Sequence, residues 1–300
     1  MTSKPKRIAG AAKVHSLITA KPLPQQETYL GLLPGLEGNE VTTKRRQLTC
    51  ERCKKGSEAE QKVGQRIAAC RRKRPCGSGA CPVCMKLARE RIIPQAAAKL
   101  YAIYQDALKQ WKATGKRKGE SRPAIYSISA VDHTLSLPRG GLDPVTVENN
   151  KEALQKAIKR SPQLKGYTFF GGVDGSLNFP LDGGEPYWAP HYYLLTVGTK
   201  ERLDDFFRPR FPAEAEETPR PLRITKVQPG SLPWTVSYAL KMTFKGRSRY
   251  RTSDGRVKTG NSKPLADDMR EFAVFLDGLG VGARFILCGL KIIKGKLIHA

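Results

Sequence analysis

The sequence predicts an α+β protein in which helices flank a central antiparallel β-sheet, with a small cysteine-rich module before it. Three observations predict this class. Amphipathic helical segments and β-segments rich in branched and aromatic residues both occur along the chain, and two of the β-segments pair most simply as a hairpin. There is no repeat of solenoid length and no heptad pattern. Six of the seven cysteines lie within residues 50–84, and a 300-residue chain suits one main core with an accessory module.

The first two segments of the chain are basic and poor in core-forming residues. Residues 1–44 mix Lys, Pro, Gly and Thr without sustained periodicity, apart from a short apolar stretch at residues 29–36, and they predict a flexible basic arm. Residues 44–91 carry 15 Lys and Arg against 4 Glu, a net charge of +11. Because this stretch has too few aliphatic residues for a core, we expect metal to hold together a module over residues 45–92.

Periodicity divides residues 93–300 into the helices and strands of the main domain. Apolar residues at spacings of three and four predict helices at residues 97–114, 151–160, 199–207, 233–242 and 265–279. Pro94 is expected near the start of the first helix or at a kink. Branched and aromatic runs predict strands at residues 124–131, 167–179, 191–197, 222–227 and 283–293. The basic segment at residues 241–263 is predicted to be mainly a loop.

The clustered cysteines offer two ways to hold a tetrahedral zinc ion. Two Cys-x-x-Cys pairs, Cys50 with Cys53 and Cys81 with Cys84, are separated by 27 residues, and together they supply the four thiolates of a structural zinc site. The alternative set is Cys70, Cys76, Cys81 and Cys84, and it does not use Cys50 and Cys53. Either set fills all four positions around the ion, so we expect the zinc to maintain structure rather than to catalyse.

The charge balance predicts a polyanionic partner. The chain has 53 Lys and Arg against 27 Asp and Glu, a formal net charge of +26, and the excess is clustered. We therefore expect nucleic acid as the partner. No run approaches the roughly 18 apolar residues of a membrane-spanning helix, and the N-terminal apolar stretch is too short for a secretory signal. These features favour a cytoplasmic protein with no membrane partner.

Three further segments contain motifs with candidate functional residues. CPVCMKLARER, residues 81–91, is a Cys-Pro-x-Cys followed by a basic helix. PHYYLLTV, residues 190–197, is a strand that projects His191 and Tyr193 from one face. WTVSYALK, residues 234–241, places Tyr238 and Lys241 one helical turn apart. In this order the segments resemble the HUH (His-hydrophobic-His) endonucleases, particularly the replication initiators of bacterial rolling-circle plasmids that have a cysteine module upstream.

The resemblance implies a divalent metal site. In this family a Pro-His-x-His strand directs two imidazoles at one Mg²⁺ or Mn²⁺ ion. Here His191 takes the first position and Tyr193 stands at the second. His191 therefore needs another partner, and the preferred candidate is Asp174 on the preceding β-segment, ahead of Asp132 and His133.

The resemblance also implies a covalent mechanism. Tyr238 is expected to attack a phosphate of single-stranded DNA, which leaves a 5′-phosphotyrosyl link and a free 3′-hydroxyl. The metal would polarise the phosphate, and Lys241 would hold or neutralise it. The expected function is that of a replication initiator which nicks and joins single-stranded or hairpin origin DNA.

Two basic clusters are predicted to bind the DNA backbone. The module contributes Arg71, Arg72, Lys73 and Arg74. Residues 241–263 carry eight Lys and Arg against one Asp, interleaved with aromatic residues that offer stacking surfaces. The residues assigned to DNA binding in this second cluster are Lys245, Arg247, Arg249 and Arg251.

Two other functions remain open at the level of sequence. A protein with the same fold and basic surfaces could have lost its chemistry, which the replacement of a histidine by Tyr193 favours. Such a protein would bind DNA without cleaving it. The third hypothesis is RNA binding by the cysteine module and the basic arm.

Overall fold

The computed structural model describes residues 39–114, 121–181, 183–212, 221–241, 244 and 246–300, apart from the side chain of His133. Most of the predicted basic arm and Lys245 lie outside the described residues. The helices are α1 Asn39–Lys54, α2 Glu58–Ala69, α3 Pro82–Ala113, α4 Pro144–Arg160, α5 Lys200–Phe207, α6 Leu232–Ala239 and α7 Ala266–Ala283. The strands are β1 Ala124–Val131, β2 Leu137–Pro138, β3 Phe169–Phe179, β4 Tyr187–Gly198, β5 Leu222–Val227, β6 Gly246–Arg251, β7 Val257–Ser262, β8 Phe285–Cys288, β9 Leu290–Ile293 and β10 Lys296–His299. The protein is α+β, as predicted.

Two short helices, α1 and α2, form the start of the described chain. Ser57 caps α2 by accepting a hydrogen bond from the backbone of Glu60, whose side chain accepts one from Ser57 in return. Gly64 of α2 lies against Cys53 of α1, where an added Cβ atom would come within 2.8 Å of the Cys53 Cβ. Any larger residue at this position would clash with α1, which explains why α2 contains a glycine in its interior.

Helix α3 runs for 32 residues and connects the cysteine-rich segment to the main domain. Cys81 is its N-cap and Pro82 its first residue, where the missing N–H of proline costs nothing. Pro94 lies inside the helix rather than at its start. The predicted boundary between a module ending at residue 92 and a domain starting at residue 93 therefore falls within one continuous helix.

A mixed β-sheet forms the centre of the molecule. Its strand order is β5-β1-β4-β3-β6-β7, with β2 paired to β4 and β8 paired to β3. The predicted hairpin is confirmed, because β3 and β4 pair antiparallel over ten residues. The sheet is mixed, which corrects the expectation of an antiparallel central sheet. After β5 at the far edge, the chain crosses the sheet through α6 and enters β6 parallel to the end of β3.

Two predictions for the basic and C-terminal segments need correction. Much of residues 241–263, predicted as a loop, forms the antiparallel ribbon β6/β7, and we call this hairpin the basic ribbon. The predicted strand at residues 283–293 is divided into β8 and β9, after which β10 pairs back onto β9. Gly289 and Gly295 have φ values of 69° and 75°, which allow the chain to turn between these short strands.

The sheet has two faces with different cover. On one face Trp188 of β4 stacks on Phe272 of α7, with ring centroids 5.6 Å apart, and this side is apolar. On the opposite face, α6 lies directly on Gly172, where an added Cβ would be 2.4 Å from the carbonyl oxygen of Ala239. Cross-strand register assigns polar side chains to this second face, which we call the polar face. None of the described helices is long and apolar enough to cross a membrane.

Candidate functional site

Four cysteine side chains meet at the N-terminus of α3. The sulfur atoms of Cys70, Cys76, Cys81 and Cys84 all lie within 4.8 Å of one another. The Sγ atom of Cys84 is 3.6 Å from that of Cys70 and 3.6 Å from that of Cys76. Thiolates bound tetrahedrally to zinc at about 2.3 Å are roughly 3.8 Å apart, so the spacing of this cluster fits such an ion. We call these four residues the cysteine cluster.

The local structure around the cluster favours the thiolate form. Cys70 caps the end of α2, and Cys81 and Cys84 occupy the N-cap and first turn of α3. The positive end of a long helix dipole therefore faces the sulfur atoms. The backbone N–H of Gly77 also donates to the Sγ of Cys84 at 3.4 Å. Hydrogen bonds from neighbouring thiols lower the pKa of Cys70 and raise the pKa values of Cys81 and Cys84, as expected when one deprotonated sulfur accepts from thiols that keep their protons.

The structure gathers the alternative zinc set rather than the two Cys-x-x-Cys pairs. Cys50 and Cys53 lie on the buried face of α1, and within the described residues they are not part of the four-sulfur group. Burial raises the pKa of the Cys53 thiol to about 11. The reason is the chain path, since α2 brings Cys70 to the start of α3 while Cys53 packs against Gly64. All seven cysteines are free thiols.

The predicted basic residues of the module form a turn beside the cluster. Arg71 and Arg74 close this turn through two backbone hydrogen bonds of 3.2 and 2.9 Å. All four side chains from Arg71 to Arg74 are exposed. Arg72 also forms an ion pair of 3.5 Å with Glu90 on α3. The cluster thus holds a cationic turn at the surface, although its role in DNA binding stays a prediction.

A second polar site lies on the polar face, where β3 and β4 pair. Asp174 and His191 are cross-strand partners in the hairpin of β3 and β4. His191 is 2 % exposed, and its Nε2 atom is 2.8 Å from the Ser176 hydroxyl. Its Nδ1 atom is 3.4 Å from the hydroxyl of Tyr193. Both ring nitrogens of His191 therefore have partners within the protein.

Asp174 is paired with the lysine that the resemblance singled out. The Nζ atom of Lys241 lies 2.8 Å from Oδ2 of Asp174, which is 1 % exposed, and it donates to the Tyr193 hydroxyl at 3.3 Å. Burial lowers the pKa of Lys241, but Asp174 and Tyr193 raise it more, so the net shift is upward. Lys241 is therefore a fixed ammonium ion. It lies two residues beyond the end of α6, not on the helix as predicted.

Arg284 is a buried cation that the sequence did not indicate. Its side chain is 1 % exposed and donates to the backbone carbonyl of Lys241 at 2.5 Å. Complete burial lowers its pKa, and the carboxylate of Asp174 opposes that shift. Arg284 thus fixes the backbone that carries Lys241. Its position between α7 and β8 gave no local signal, because a polar residue at a strand edge is normally exposed.

The contacts at His191 and Asp174 leave a divalent metal there a prediction. Both imidazole nitrogens have hydrogen-bond partners and Lys241 is ion-paired with the carboxylate, while the two buried carboxylate oxygens accept no hydrogen bond from the described residues. Within the described residues, the cysteine cluster is the group of three or more metal-binding side chains that lies close enough together for one ion. Asp132, the weaker alternative, instead accepts from Thr134 and Asn150.

Tyr238 presents its phenol beside the fixed ammonium ion. Its side chain is 49 % exposed, and its ring meets that of Tyr193 edge to face with centroids 5.3 Å apart. The Nζ atom of Lys241 lies 5.0 Å from the centroid of the Tyr238 ring and 4.8 Å from that of Tyr193. One cation therefore contacts both rings. The structure brings together Tyr238, Lys241, Tyr193 and Asp174, and we call this group the tyrosine site.

A buried arginine of α3 anchors helix α6. Arg89 of α3 is 4 % exposed, and its Nη2 atom donates to the hydroxyl and the carbonyl oxygen of Ser237 at 2.7 and 3.3 Å. Ser237 immediately precedes Tyr238. The residue that anchors the tyrosine helix therefore lies five positions after Cys84 on the same helix.

The arginines of the basic ribbon share the polar face with the tyrosine site. Arg247 is the register partner of Asn178, which follows Asp174 at an interval of four residues on β3. Arg249 and Arg251 continue the same side of β6, because alternate residues of a strand project to one face. On the other side of the ribbon, Tyr250 lies across Gly260, where an added Cβ would be 3.2 Å from its ring.

A scan against protein-family models, a search of curated proteins and a search of solved structures found no match to this chain. The assignment of function therefore rests on the residues and their arrangement.

Proposed function

We propose that this chain is a zinc-containing protein of the replication-initiator type, which nicks and joins single-stranded DNA through Tyr238. One observation carries the proposal. The half-exposed phenol of Tyr238 lies beside Lys241, whose ammonium ion is fixed 2.8 Å from the buried carboxylate of Asp174. An accessible nucleophile next to a permanent positive charge is what attack on a phosphodiester requires.

The proposed reaction is a transesterification. The Tyr238 oxygen bonds to phosphorus, the bond between phosphorus and the 3′-oxygen breaks, and the phenolic proton ends on that oxygen as a 3′-hydroxyl. Lys241 stabilises the charge that develops on the phosphate oxygens. Attack by a 3′-hydroxyl on the phosphotyrosine reverses these changes and rejoins the strand. Lys241 is the cation that these steps use, and none of them passes through a metal at His191 and Asp174.

Zinc is the metal proposed for the cysteine cluster. Four thiolates at tetrahedral spacing are the typical ligands of a structural zinc ion, and all four positions are then filled by protein. The bound ion would hold the end of α2 against the start of α3. It would also hold the cationic turn at residues 71–74.

A second function, DNA binding without cleavage, is favoured by a specific observation. Both nitrogens of His191 have partners within the protein and Asp174 is ion-paired, so a metal would have to compete with contacts that both residues already make. Under this alternative the basic ribbon and the tyrosine site bind a strand without breaking it.

The test is an adduct assay with end-labelled single-stranded DNA of random sequence. Wild type and Tyr238→Phe are incubated with manganese, with magnesium or with neither, and separated by denaturing electrophoresis. We expect a protein-linked band from wild type and none from Tyr238→Phe. Tyr101→Phe is the matched control, because Tyr101 is 45 % exposed on α3 and should leave the band unchanged. Tight binding without a band under any condition would support the second function instead.

A further inference from the structure

Helix α6 exposes two large aromatic side chains on one face. Trp234 is 54 % exposed and Tyr238 is 49 % exposed. They are four residues apart, so they lie next to each other on the helix surface. The opposite side of this two-turn helix is buried through Leu232, Val236 and Ala239. The exposed pair is therefore firmly supported, and Tyr238 keeps half of its side chain exposed although one edge contact joins its ring to Tyr193 of the sheet.

The surroundings of this aromatic pair are cationic. Lys241 lies within 5.0 Å of the Tyr238 ring centroid. The polar face continues on one side to Arg223 of β5, which is exposed and is linked to Tyr193 by strand register through Ser129. On the other side it continues through Asn178 to Arg247 of the basic ribbon. Aromatic surface flanked by cations on both sides matches a ligand with flat rings and regularly spaced negative charges.

We propose that Trp234 and Tyr238 form a stacking platform for unpaired nucleotides, with Trp234 stacking on a base adjacent to the phosphate that Tyr238 reaches. This inference deepens the proposed function and rests on it for the phosphate at Tyr238. Single-stranded nucleic acid is the occupant that the charges favour. A duplex hides the faces of its bases inside the helix, so it can contact the cations but cannot stack on Trp234.

The sequence pattern of α6 contains the signal for this platform, although the resemblance directed attention to Tyr238 and Lys241 alone. Trp234 and Tyr238 fall at an interval of four, which places them on one helical stripe, and Lys241 follows two residues beyond the end of α6. A core stripe with the same spacing would be apolar. Here both rings carry a polar group and a cation follows them, which is typical of a surface that contacts a polar ligand.

The test uses the full chain and three ligands of equal length: an oligodeoxythymidine strand, an oligouridine strand and a thymidine–adenosine DNA duplex. Affinity is measured by anisotropy of a labelled ligand, and stacking by quenching of tryptophan fluorescence. Of the three tryptophans, Trp188 is fully buried and Trp111 is partly buried on α3, so the quenching that Trp234→Ala removes is the part that reports on Trp234. We expect both single strands to quench the fluorescence and the duplex to leave it unchanged. The relative affinity of the two strands identifies whether DNA or RNA is the source of the nucleotides.

The variants separate stacking from charge. Trp234→Ala should lower single-strand affinity about tenfold, whereas Trp234→Phe should lower it less than threefold because a ring remains. Neither change should alter the salt dependence of binding, since no cation is removed. Tyr101→Ala, at an exposed aromatic on α3, should leave affinity unchanged. Thermal unfolding midpoints close to that of wild type would show that the variants are folded.

Two results would overturn the platform. One is an unchanged single-strand affinity in Trp234→Ala, and the other is equal quenching by the duplex. These outcomes are distinct from failure of the proposed cleavage, which is read from the adduct of Tyr238. Tyr238→Phe keeps its ring, so it should lose the adduct while retaining single-strand affinity.

Discussion

The cysteine cluster and the tyrosine site both bring several ionisable side chains together, but they differ in how those side chains are satisfied. In the cysteine cluster four thiols face one another, with sulfur atoms 3.6 Å apart in two of the pairs. In the tyrosine site Lys241 is ion-paired with the opposite charge of Asp174, although the two carboxylate oxygens accept no hydrogen bond from the described residues. The first arrangement gathers groups of one kind that a cation would satisfy together. The second already contains its own cation.

This difference indicates where binding energy is available for outside ligands. The four thiols of the cysteine cluster favour a cation, because one ion can coordinate all four sulfur atoms at once. Paired groups at the tyrosine site are less available to a metal, and the accessible features there are a phenol, an indole and one fixed positive charge. The first region is therefore expected to bind a metal for structure, and the second to bind a strand for function.

The largest expected effect comes from removing one ligand of the cysteine cluster. Cys84→Ser should abolish stoichiometric zinc binding and unfold the segment around α2, because a structural zinc site contributes on the order of 10 kcal/mol. Zinc content of the purified protein, measured by atomic emission, checks the result.

Cys53→Ser is the matched control for the zinc ligands. Cys53 is fully buried but lies outside the four-sulfur group, so this variant should keep one zinc per chain. Loss of zinc in Cys53→Ser and its retention in Cys70→Ser would restore the two Cys-x-x-Cys pairs as the ligands.

The next effect tests whether the tyrosine site is internally paired. Lys241→Met leaves the Asp174 carboxylate buried without its cation and should destabilise the protein by about 3–5 kcal/mol. The double variant Asp174→Asn/Lys241→Met removes both charges and should recover part of this loss. Urea unfolding of the single and double variants measures the coupling between the two residues. If the two single losses simply add, Lys241 and Asp174 are not energetically coupled.

The same pair predicts a pH dependence. The pKa of Lys241 is higher in the folded protein than in the unfolded chain, so its stabilising contribution is fully present at neutral pH. The contribution is lost as pH rises through the folded-state pKa, above the ordinary lysine value of about 10.4. Wild type should therefore lose stability more steeply above this pH than Lys241→Met does. Parallel curves of unfolding free energy against pH would contradict the pairing.

The smallest effect concerns the basic ribbon. The variant in which Arg247, Arg249 and Arg251 are all changed to Gln should bind a single strand more weakly. The slope of log affinity against log salt should fall by about two, because fewer counterions are released. Titrations at four salt concentrations check the slope. The matched control replaces Arg66 and Lys156, which lie on helices, and Arg208, which follows the last residue of α5, by Gln; all three lie outside the ribbon, and the slope should change less. An unchanged slope in the ribbon variant would remove these arginines from the binding surface.

Local pattern was sufficient to predict much of the fold. The strand at residues 124–131 has the predicted bounds, and the hairpin of β3 and β4 forms as expected. The basic ribbon was missed because eight cations over residues 241–263 suggested a solvated loop. The alternation of Arg with Ser and Tyr in β6 has the period of two that marks a strand, with Gly255 at the turn. The parallel pairing of β6 with β3 depends on a crossover that no local pattern specifies.

The site was predictable only in part, because its contacts join distant segments. Asp174, His191, Tyr238 and Lys241 were all selected from the sequence. Their pairing was not, since the ion pair of Lys241 with Asp174 links residues 67 positions apart. Arg284 and Arg89 had no sequence signal, because each reaches the site from a different element. The choice between two cysteine sets likewise depended on how α2 approaches α3.

Helix α3 joins the two regions through a single rigid element. Cys84 lies in its first turn, and Arg89, about 7.5 Å further along the axis, is hydrogen-bonded to the residue before Tyr238. If zinc at the cysteine cluster and a strand at the tyrosine site both favour the same position of α3, a coupling free energy links the affinities of the two ligands. Thermodynamic reciprocity then requires that a bound strand raise zinc affinity by the same factor with which zinc raises strand affinity.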